Sequence, residues 1–360
     1  MQVLLELDSV HPGQAFLRTN LGNNAIRLQE IIALVEEGKP VQGRDWQDLP
    51  MQQVDDSHFQ LILPLHEVGY FEFKAFFVED STNIVYWPRG ENASVKVGPA
   101  KTVCANTIYN AFVRQFGSNK SGSWQSKAQL QPQLQEAVKA LDEAGCTVIP
   151  PSGTFQDLIA ELDFIMLELG FRIIQLLPVH PIPTTFARMG RFGSPFAPLD
   201  FFSVDPAMAV FDRTSTPMEQ FIQLVDEVHA RNGLLFLDIP ADHTGWGSVF
   251  QVHNPEWFVR NPDGTFASPG AWGVIWEDLC KLDYQNRQLW QRMAEVFLHW
   301  CHAGVDGFRC DAGYMIPAEA WDYMVAKVRQ EYPDTVFFLE GLGGSLEDTS
   351  KLLSSSNLNW

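Results

Sequence analysis

Hydrophobic and polar positions alternate along the first hundred residues and then change period. Phe59, Leu61, Leu63 and Leu65 are spaced by two, and Phe71, Phe73, Ala75 and Phe77 repeat the pattern after Gly69. Period two places one row of side chains on one face of a sheet, so residues 1–100 are expected to form a β-sandwich. Pro88, Gly90, Gly98 and Pro99 punctuate the end of this segment.

From Val103 apolar strand-like runs alternate with helical periods, the pattern of parallel strands joined by crossover helices. Cys104–Phe112 reads as a first strand, followed from Ser118 by a polar stretch that reads as a loop or insertion. Thr154 caps a helix carrying Leu158, Leu162, Met166 and Leu169, and Gly170 stops it before the strand Arg172–Leu177. Thr216, Pro217 and Glu219 spell a capping box with proline at the first helical position. They open a helix with Phe221, Leu224, Val225 and Val228 on one face, closed by Gly233 before the strand Leu234–Asp238. Leu289, Met293, Val296 and Trp300 mark another helix, ended by Gly304 ahead of the strand Val305–Cys310. A helix from about Pro317 leads to the strand Thr335–Leu339, and Asn357–Trp360 opens a sixth strand. Residues 101–360 are therefore expected to be an α/β unit, a (β/α)₈ barrel of which five strands and the start of a sixth are present. The chain is expected to stop before the barrel closes and to be inactive alone. The polar ends of strands two to five would line the active-site face.

Charge narrows the partners. Lys and Arg total 25 against 44 Asp and Glu, a formal net charge of −19. Such a chain repels phosphate backbones and anionic headgroups, so neither nucleic acid nor membrane is an expected partner. Neutral polymers are compatible with that charge, and the 11 Trp and 26 Phe offer flat faces for sugar rings beside their core duty. The N-terminus has no basic region and is interrupted by Glu6 and Asp8, which does not read as a signal peptide. The five cysteines, Cys104, Cys146, Cys280, Cys301 and Cys310, are odd in number and unpatterned. That suits reduced thiols in a cytoplasm; the alternative is a secreted form already trimmed of a leader.

Three consecutive strands each end in an acid where an apolar run meets solvent: Leu-Phe-Leu-Asp at Asp238, Gly-Phe-Arg-Cys-Asp at Asp311 and Phe-Phe-Leu-Glu at Glu340. Adjacent strands lie about 4.8 Å apart, so neighbouring carboxyl groups can approach the roughly 5–5.5 Å of a retaining glycosidase pair. Acids at strand ends also serve as caps or pair with Arg, but three in register favour the chemical reading.

In four ordered places the chain resembles glycoside hydrolase family 13, the α-amylase family: 194–206 (Ser-Pro-Phe-Ala-Pro-Leu-Asp-Phe-Phe-Ser-Val-Asp-Pro), 238–243 (Asp-Ile-Pro-Ala-Asp-His), 307–311 (Gly-Phe-Arg-Cys-Asp) and 338–341 (Phe-Leu-Glu-Gly). The resemblance runs from about Ile108 to the end. It implies that Asp311 is the nucleophile and Glu340 the acid/base, that Arg309 holds Asp311 ionised, that Asp238 braces Arg309, and that His243 donates to a sugar hydroxyl. Phe196 would stack under the cleaved sugar where the family carries Tyr. Asp242 stands where many members have Asn near a calcium site, so calcium is possible but not supported, and no cofactor is expected. Tyr314 and Met315 replace a Lys-His pair of many amylases, and the Gly-Ser-Pro-Phe run is similar to that of debranching and glucanotransferase members. The family's third carboxylate has no counterpart among the residues after Glu340. The function implied is retaining hydrolysis or transfer of α-glucosidic bonds in starch- or glycogen-like α-glucans or maltooligosaccharides. 4-α-Glucanotransfer or debranching is the alternative, and a non-catalytic α-glucan-binding protein is the reading from another class.

Overall fold

The computed structural model describes residues 1–9, 11–102, 107–117, 132–145, 152–184, 193–341, 345–355 and 357–359. Cys104, Cys146, the start of the expected first strand and most of the polar stretch after Ser118 lie outside the described residues. The chain divides into two compact units, one comprising Met1–Val103, Ala318–Val336 and Ser350–Trp360, the other Cys104–Pro317 and Phe337–Thr349.

The first unit holds β1 (Gln2–Glu6), β2 (Gly13–Thr19), α1 (Asn24–Glu36), β3 (Gln47–Pro50), β4 (Gln52–Gln53), β5 (His58–Ile62), β6 (Gly69–Glu79), β7 (Val85–Tyr86) and β8 (Ala93–Val97). They form two antiparallel sheets, ordered β1-β5-β4 and β3-β2-β6-β7 with β8 also on β6. Both sheets contribute to one core, in which Ala15, Leu17, Met51, Phe59, Ala75 and Phe77 are buried and Val3, Leu5, Leu61 and Phe73 pack against them. The alternating rows Phe59–Leu61 and Phe71–Phe77 thus face inward as their period requires. Leu65, read as part of the same row, lies beyond β5 and is exposed. The helix α1 departs from the all-strand expectation. Its Leu28 and Ile32 are buried, and it packs against a helix almost three hundred residues further on, Ala318–Glu331. Lys327 Nζ lies 3.1 Å from Glu36 Oε1 and Tyr323 Oη donates to the same oxygen at 2.7 Å. The apolar run Ile31-Ile32-Ala33-Leu34-Val35 satisfies neither period uniquely, and its long-range partner selects the helix.

In the second unit the strands β9 (Ile108–Ala111), β10 (Ile173–Leu176), β11 (Leu234–Pro240), β16 (Gly307–Asp311) and β17 (Val336–Leu339) form one sheet in chain order. The paired registers between β9, β10, β11 and β16 are parallel. Between β9 and β10 come α2 (Pro132–Glu143) and α3 (Phe155–Ile159), and α4 (Pro217–Ala230) links β10 to β11. After β11 come β12 (His243–Gly245), α5 (Val249–His253), β13 (Gly270–Ala271), β14 (Val274–Ile275), β15 (Leu279–Lys281) and α6 (Arg287–His302). Between β16 and β17 the chain passes through α7 (Ala318–Glu331), which belongs to the first unit, and α8 (Leu346–Ser355) follows β17. Ile173, Ile174, Leu176, Leu235, Phe236, Leu237, Phe308 and Phe337 are all buried. A parallel sheet covered on both faces requires such unbroken apolar runs, and each large side chain contributes about 1.5–3 kcal/mol by leaving water. Among the described residues the sheet does not close into a barrel, β9 and β17 being its edges. Asn357–Asn359, expected to open a sixth strand, are irregular, and Trp360 lies outside the described residues.

The helix signals worked locally. Thr216 Oγ1 accepts from Glu219 N at 3.2 Å, and Glu219 Oε2 accepts from Thr216 N at 2.7 Å. Thr154 makes the same box with Asp157, but the helix it opens gives way after Ile159 to a π-helical turn, Asp163–Glu168, which leaves Leu169 exposed. Gly170 and Gly304 adopt positive φ as stop residues. At the end of α4 it is Asn232 that turns left-handed, while Gly233 leaves room where a Cβ would meet Met166 Cε at 2.1 Å. No helix among the described residues is long and apolar enough to cross a membrane.

Candidate active site

Strand ends build the site. The registers Asp238↔Arg309 and Pro240↔Asp311 set the tips of β11 and β16 side by side. Glu340 follows β17 directly, with its N–H donating to Cys310 O at 3.0 Å. Arg309 is the hub. Its Nη1 donates to Asp238 Oδ2 at 2.5 Å and to Asp311 Oδ1 at 2.9 Å, and its Nη2 lies 3.1 Å from Glu340 Oε2. Ala312 N–H also donates to Glu340 Oε2 at 3.1 Å, from a residue whose φ of +49° turns the chain sharply after Asp311. The loop 194–198 supplies the opposite wall. Phe196 O lies 3.0 Å from His243 Nε2, and the Phe196 ring centroid is 5.8 Å from Arg309 Cζ. His243 Nε2 is also 3.8 Å from Asp311 Oδ2.

The six side chains expected from the sequence converge at one cavity or directly behind it. Phe196, His243, Asp311 and Glu340 line a cavity of about 330 Å³, and Arg309 reaches both acids from beneath. Asp238 is buried behind Arg309. The remaining lining is Ser194, Trp272, Trp276, Asp278, Leu279 and Tyr314. Trp272, Trp276 and Asp278 were missed from the sequence. They belong to the long excursion between β11 and α6, and the only local signal was the pair Trp272-Gly273 between short apolar runs.

Three carboxyl groups surround one guanidinium, so one cation faces up to three anions out of water. Burial foremost pushes Asp311 up to about 7, with Arg309 pulling down and a hydrogen bond with Glu340 adding to the rise. Burial likewise holds Asp238 well above the usual carboxylate range against the pull of Arg309. Arg309 itself is raised, burial being outweighed by Asp238, Asp311 and Glu340. Arg309 thus pulls Asp311 toward its ionised form, as the resemblance implies, against a larger push from burial. Desolvation and a second carboxyl in hydrogen-bonding contact exceed what one shared cation offsets, and the pair retains a proton near neutrality. His243 is fully buried and burial pushes it down to about 4, leaving a neutral imidazole at physiological pH.

Asp242, between the tip of β11 and His243, is 1% exposed and neither of its carboxyl oxygens has a hydrogen-bond partner. Burial, the largest cause, raises it to about 8 with a further push from Asp311, while Lys281 opposes. Among the described residues no cluster of three or more His, Cys, Asp or Glu could hold a metal ion.

No family model matches the chain. Over 198 residues it is 26% identical to an α-1,4-glucan:maltose-1-phosphate maltosyltransferase of Picrophilus torridus, covering 52% of this chain and 31% of that protein. Over 204 residues it is 33% identical to the enzyme of the same name from Burkholderia pseudomallei, covering 52% of this chain and 17% of the relative. The chain thus spans a third or less of these relatives. Among solved structures, an α-amylase from Lactobacillus plantarum is 27% identical with a TM-score of 0.52, covering 70% of this chain and 49% of that one. A cyclic α-maltosyl-(1→6)-maltose hydrolase from Arthrobacter globiformis, 20% identical with a TM-score of 0.52 over 73% of this chain and 55% of its own, shares the fold. Ordered sequence motifs, a parallel sheet with acids at successive strand tips and these likenesses agree: the chain is a relative of the α-amylase family, glycoside hydrolase family 13.

Proposed function

We propose that the chain carries the catalytic groups for retaining cleavage or transfer of α-glucosidic bonds in α-glucans and maltooligosaccharides. The observation that carries this reading is the single guanidinium of Arg309 bonded to Asp238, Asp311 and Glu340 at one cavity. In the reaction a glucosyl unit enters between the two acids. The proton held by the pair is left on Glu340, which gives it to the departing glycosidic oxygen while Asp311 attacks the anomeric carbon. Burial remains the larger cause of the rise in Asp311, but separation from Glu340 removes the second one, and Arg309 then favours the ionised form. Glu340, now a carboxylate, takes a proton from water or from an acceptor hydroxyl as that oxygen displaces Asp311. Neutral His243 donates Nε2–H to a hydroxyl of the same sugar in place of Phe196 O. Phe196 supplies an apolar face beside it.

Transfer is the outcome when a sugar hydroxyl rather than water reaches the glycosyl-enzyme, and the maltosyltransferase relatives favour that outcome. On the same reading the five-stranded sheet is part of a (β/α)₈ barrel, residues 101–360 are the catalytic portion, and the paired sheets of residues 1–100 are an accessory β-sandwich. The buried cysteines Cys280, Cys301 and Cys310 suit a reducing cytoplasm. Proton NMR of the first product anomer from a maltooligosaccharide tests the reading. An α product, lost in Asp311→Asn and Glu340→Gln by more than about a hundredfold in rate, is expected; a β product overturns it.

A further inference from the structure

The outer wall of the cavity is a hairpin whose tip holds an aromatic residue in a conformation that aromatics avoid. β13 and β14 pair through Gly270↔Ile275 and Ala271↔Val274, leaving Trp272 and Gly273 as the two-residue turn. Their φ values are +54° and +78°. Two successive left-handed residues make the turn that fits the twist of a tight hairpin, and Asn or Gly normally fills its first position. A Cβ on Gly270 would lie 2.3 Å from Val274 O, so the ribbon closes only because that position is glycine. Packing does not ask for an indole at the tip, since Trp272 is 70% exposed. It nevertheless lines the same cavity as His243, Asp311 and Glu340. Strain kept where the core gains nothing from it points to a use at the surface.

We propose that Trp272 is a stacking platform that receives a neutral α-glucan segment at the outer edge of the catalytic cavity. The inference rests on the function proposed above and adds a specificity-determining residue to it. The carbon-bound hydrogens of a pyranose present an apolar face that matches a flat indole. The other polar lining groups suit hydroxyls: carboxyl groups of Asp278, Asp311 and Glu340, the Ser194 and Tyr314 hydroxyls and the His243 imidazole, with no lysine or arginine among the described lining residues. That lining favours a neutral polyol over an anionic ligand. Trp276, on the return arm, stands edge-on to the His243 ring at 6.3 Å between centroids and 62° between planes, so aromatic surface continues from the hairpin into the cavity. The base of the excursion is fixed, because β12 pairs with β15 through His243↔Lys281 and Gly245↔Leu279. The hairpin is thereby tied to the strand that carries His243.

The test compares wild type, Trp272→Asn and Trp272→Phe by steady-state kinetics on maltotriose and maltoheptaose, with thermal unfolding of each protein. Trp272→Asn is expected to raise KM for maltoheptaose about fivefold to tenfold, with the loss falling mainly on KM rather than kcat. Its unfolding midpoint should stay level or rise, since Asn accepts the left-handed turn. Trp272→Phe should recover most of the KM. An unchanged KM in Trp272→Asn overturns the inference and leaves the catalytic reading intact. So does a joint fall of unfolding midpoint and affinity, which would make the indole structural. Dissociation of a wild-type dimer by Trp272→Asn with unaltered KM would assign the exposed Trp272, Val274 and Ile275 to a second copy and equally overturn it. The assays use the full-length protein, since residues 1–360 alone are expected to be inactive, and failure of that wild type to act on either glucan overturns the catalytic reading, and this inference with it.

Discussion

Asp242→Asn offers a sharp test of the electrostatics beneath the site. The carboxyl is buried to 1% exposure, neither oxygen accepts or donates a hydrogen bond, and burial lifts it from the ordinary 3.8 to about 8. Between those values the folded protein keeps the Asp242 proton while the unfolded chain has released it. The unfolded state then binds fewer protons, so stability falls as pH rises, by up to about 1.4 kcal/mol per pH unit for this one group. From about pH 5.5 to about pH 8 the ceiling is about 3 kcal/mol, and relaxation around the charge brings the expected change to about 1–3 kcal/mol. An asparagine side chain has the same shape and does not titrate in this range. The stability difference, Asp242→Asn variant minus wild type, is therefore expected to grow with pH over this interval, whatever its value at the acid end. Other buried acids titrate in both proteins and largely cancel in the difference. Urea unfolding of both proteins at three pH values between about 5.5 and 8 measures it. A constant difference across the series would refute the reasoning, because it would mean that Asp242 is already ionised in the folded protein.

The pH profile of kcat/KM on a maltooligosaccharide should have its basic limb near 7, activity falling as pH rises through it, because the Asp311–Glu340 pair there loses the proton that Glu340 must give to the leaving oxygen; activity that holds level well above 7 would refute this. Gly245→Ala should lower activity at least about tenfold, since its Cβ would lie 2.6 Å from Ala197 O and shift the loop that holds Phe196 against His243; wild-type rates would show that the loop yields freely. Thr216→Ala should cost about 1 kcal/mol in urea unfolding by removing the capping bond to Glu219 N, with no effect on KM. A change in KM would tie that helix start to the site.

What the sequence determined by itself was local. The capping box at Thr216 and Glu219, the stop glycines Gly170 and Gly304 and the order of strands all follow from residue type and spacing within one or two turns. The acids at Asp238, Asp311 and Glu340 were legible for the same reason, each lying where an unbroken apolar run ends. The tertiary structure decided what depends on partners far away in the chain. The helix Asn24–Glu36 formed inside a stretch read as strands because its buried side chains meet the helix Ala318–Glu331. The π-helical turn after Ile159 and the left-handed Asn232 were likewise beyond local patterns. The sequence placed Arg309 beside Asp311, but only the folded cluster shows three carboxyls sharing that one cation and the burial that raises Asp311 against it. Trp272 entered the site through a hairpin whose base pairs with the strand carrying His243. Spacing along the chain encodes which face a residue occupies; the charge it carries and the cavity it lines are set by desolvation and by neighbours that folding alone brings close.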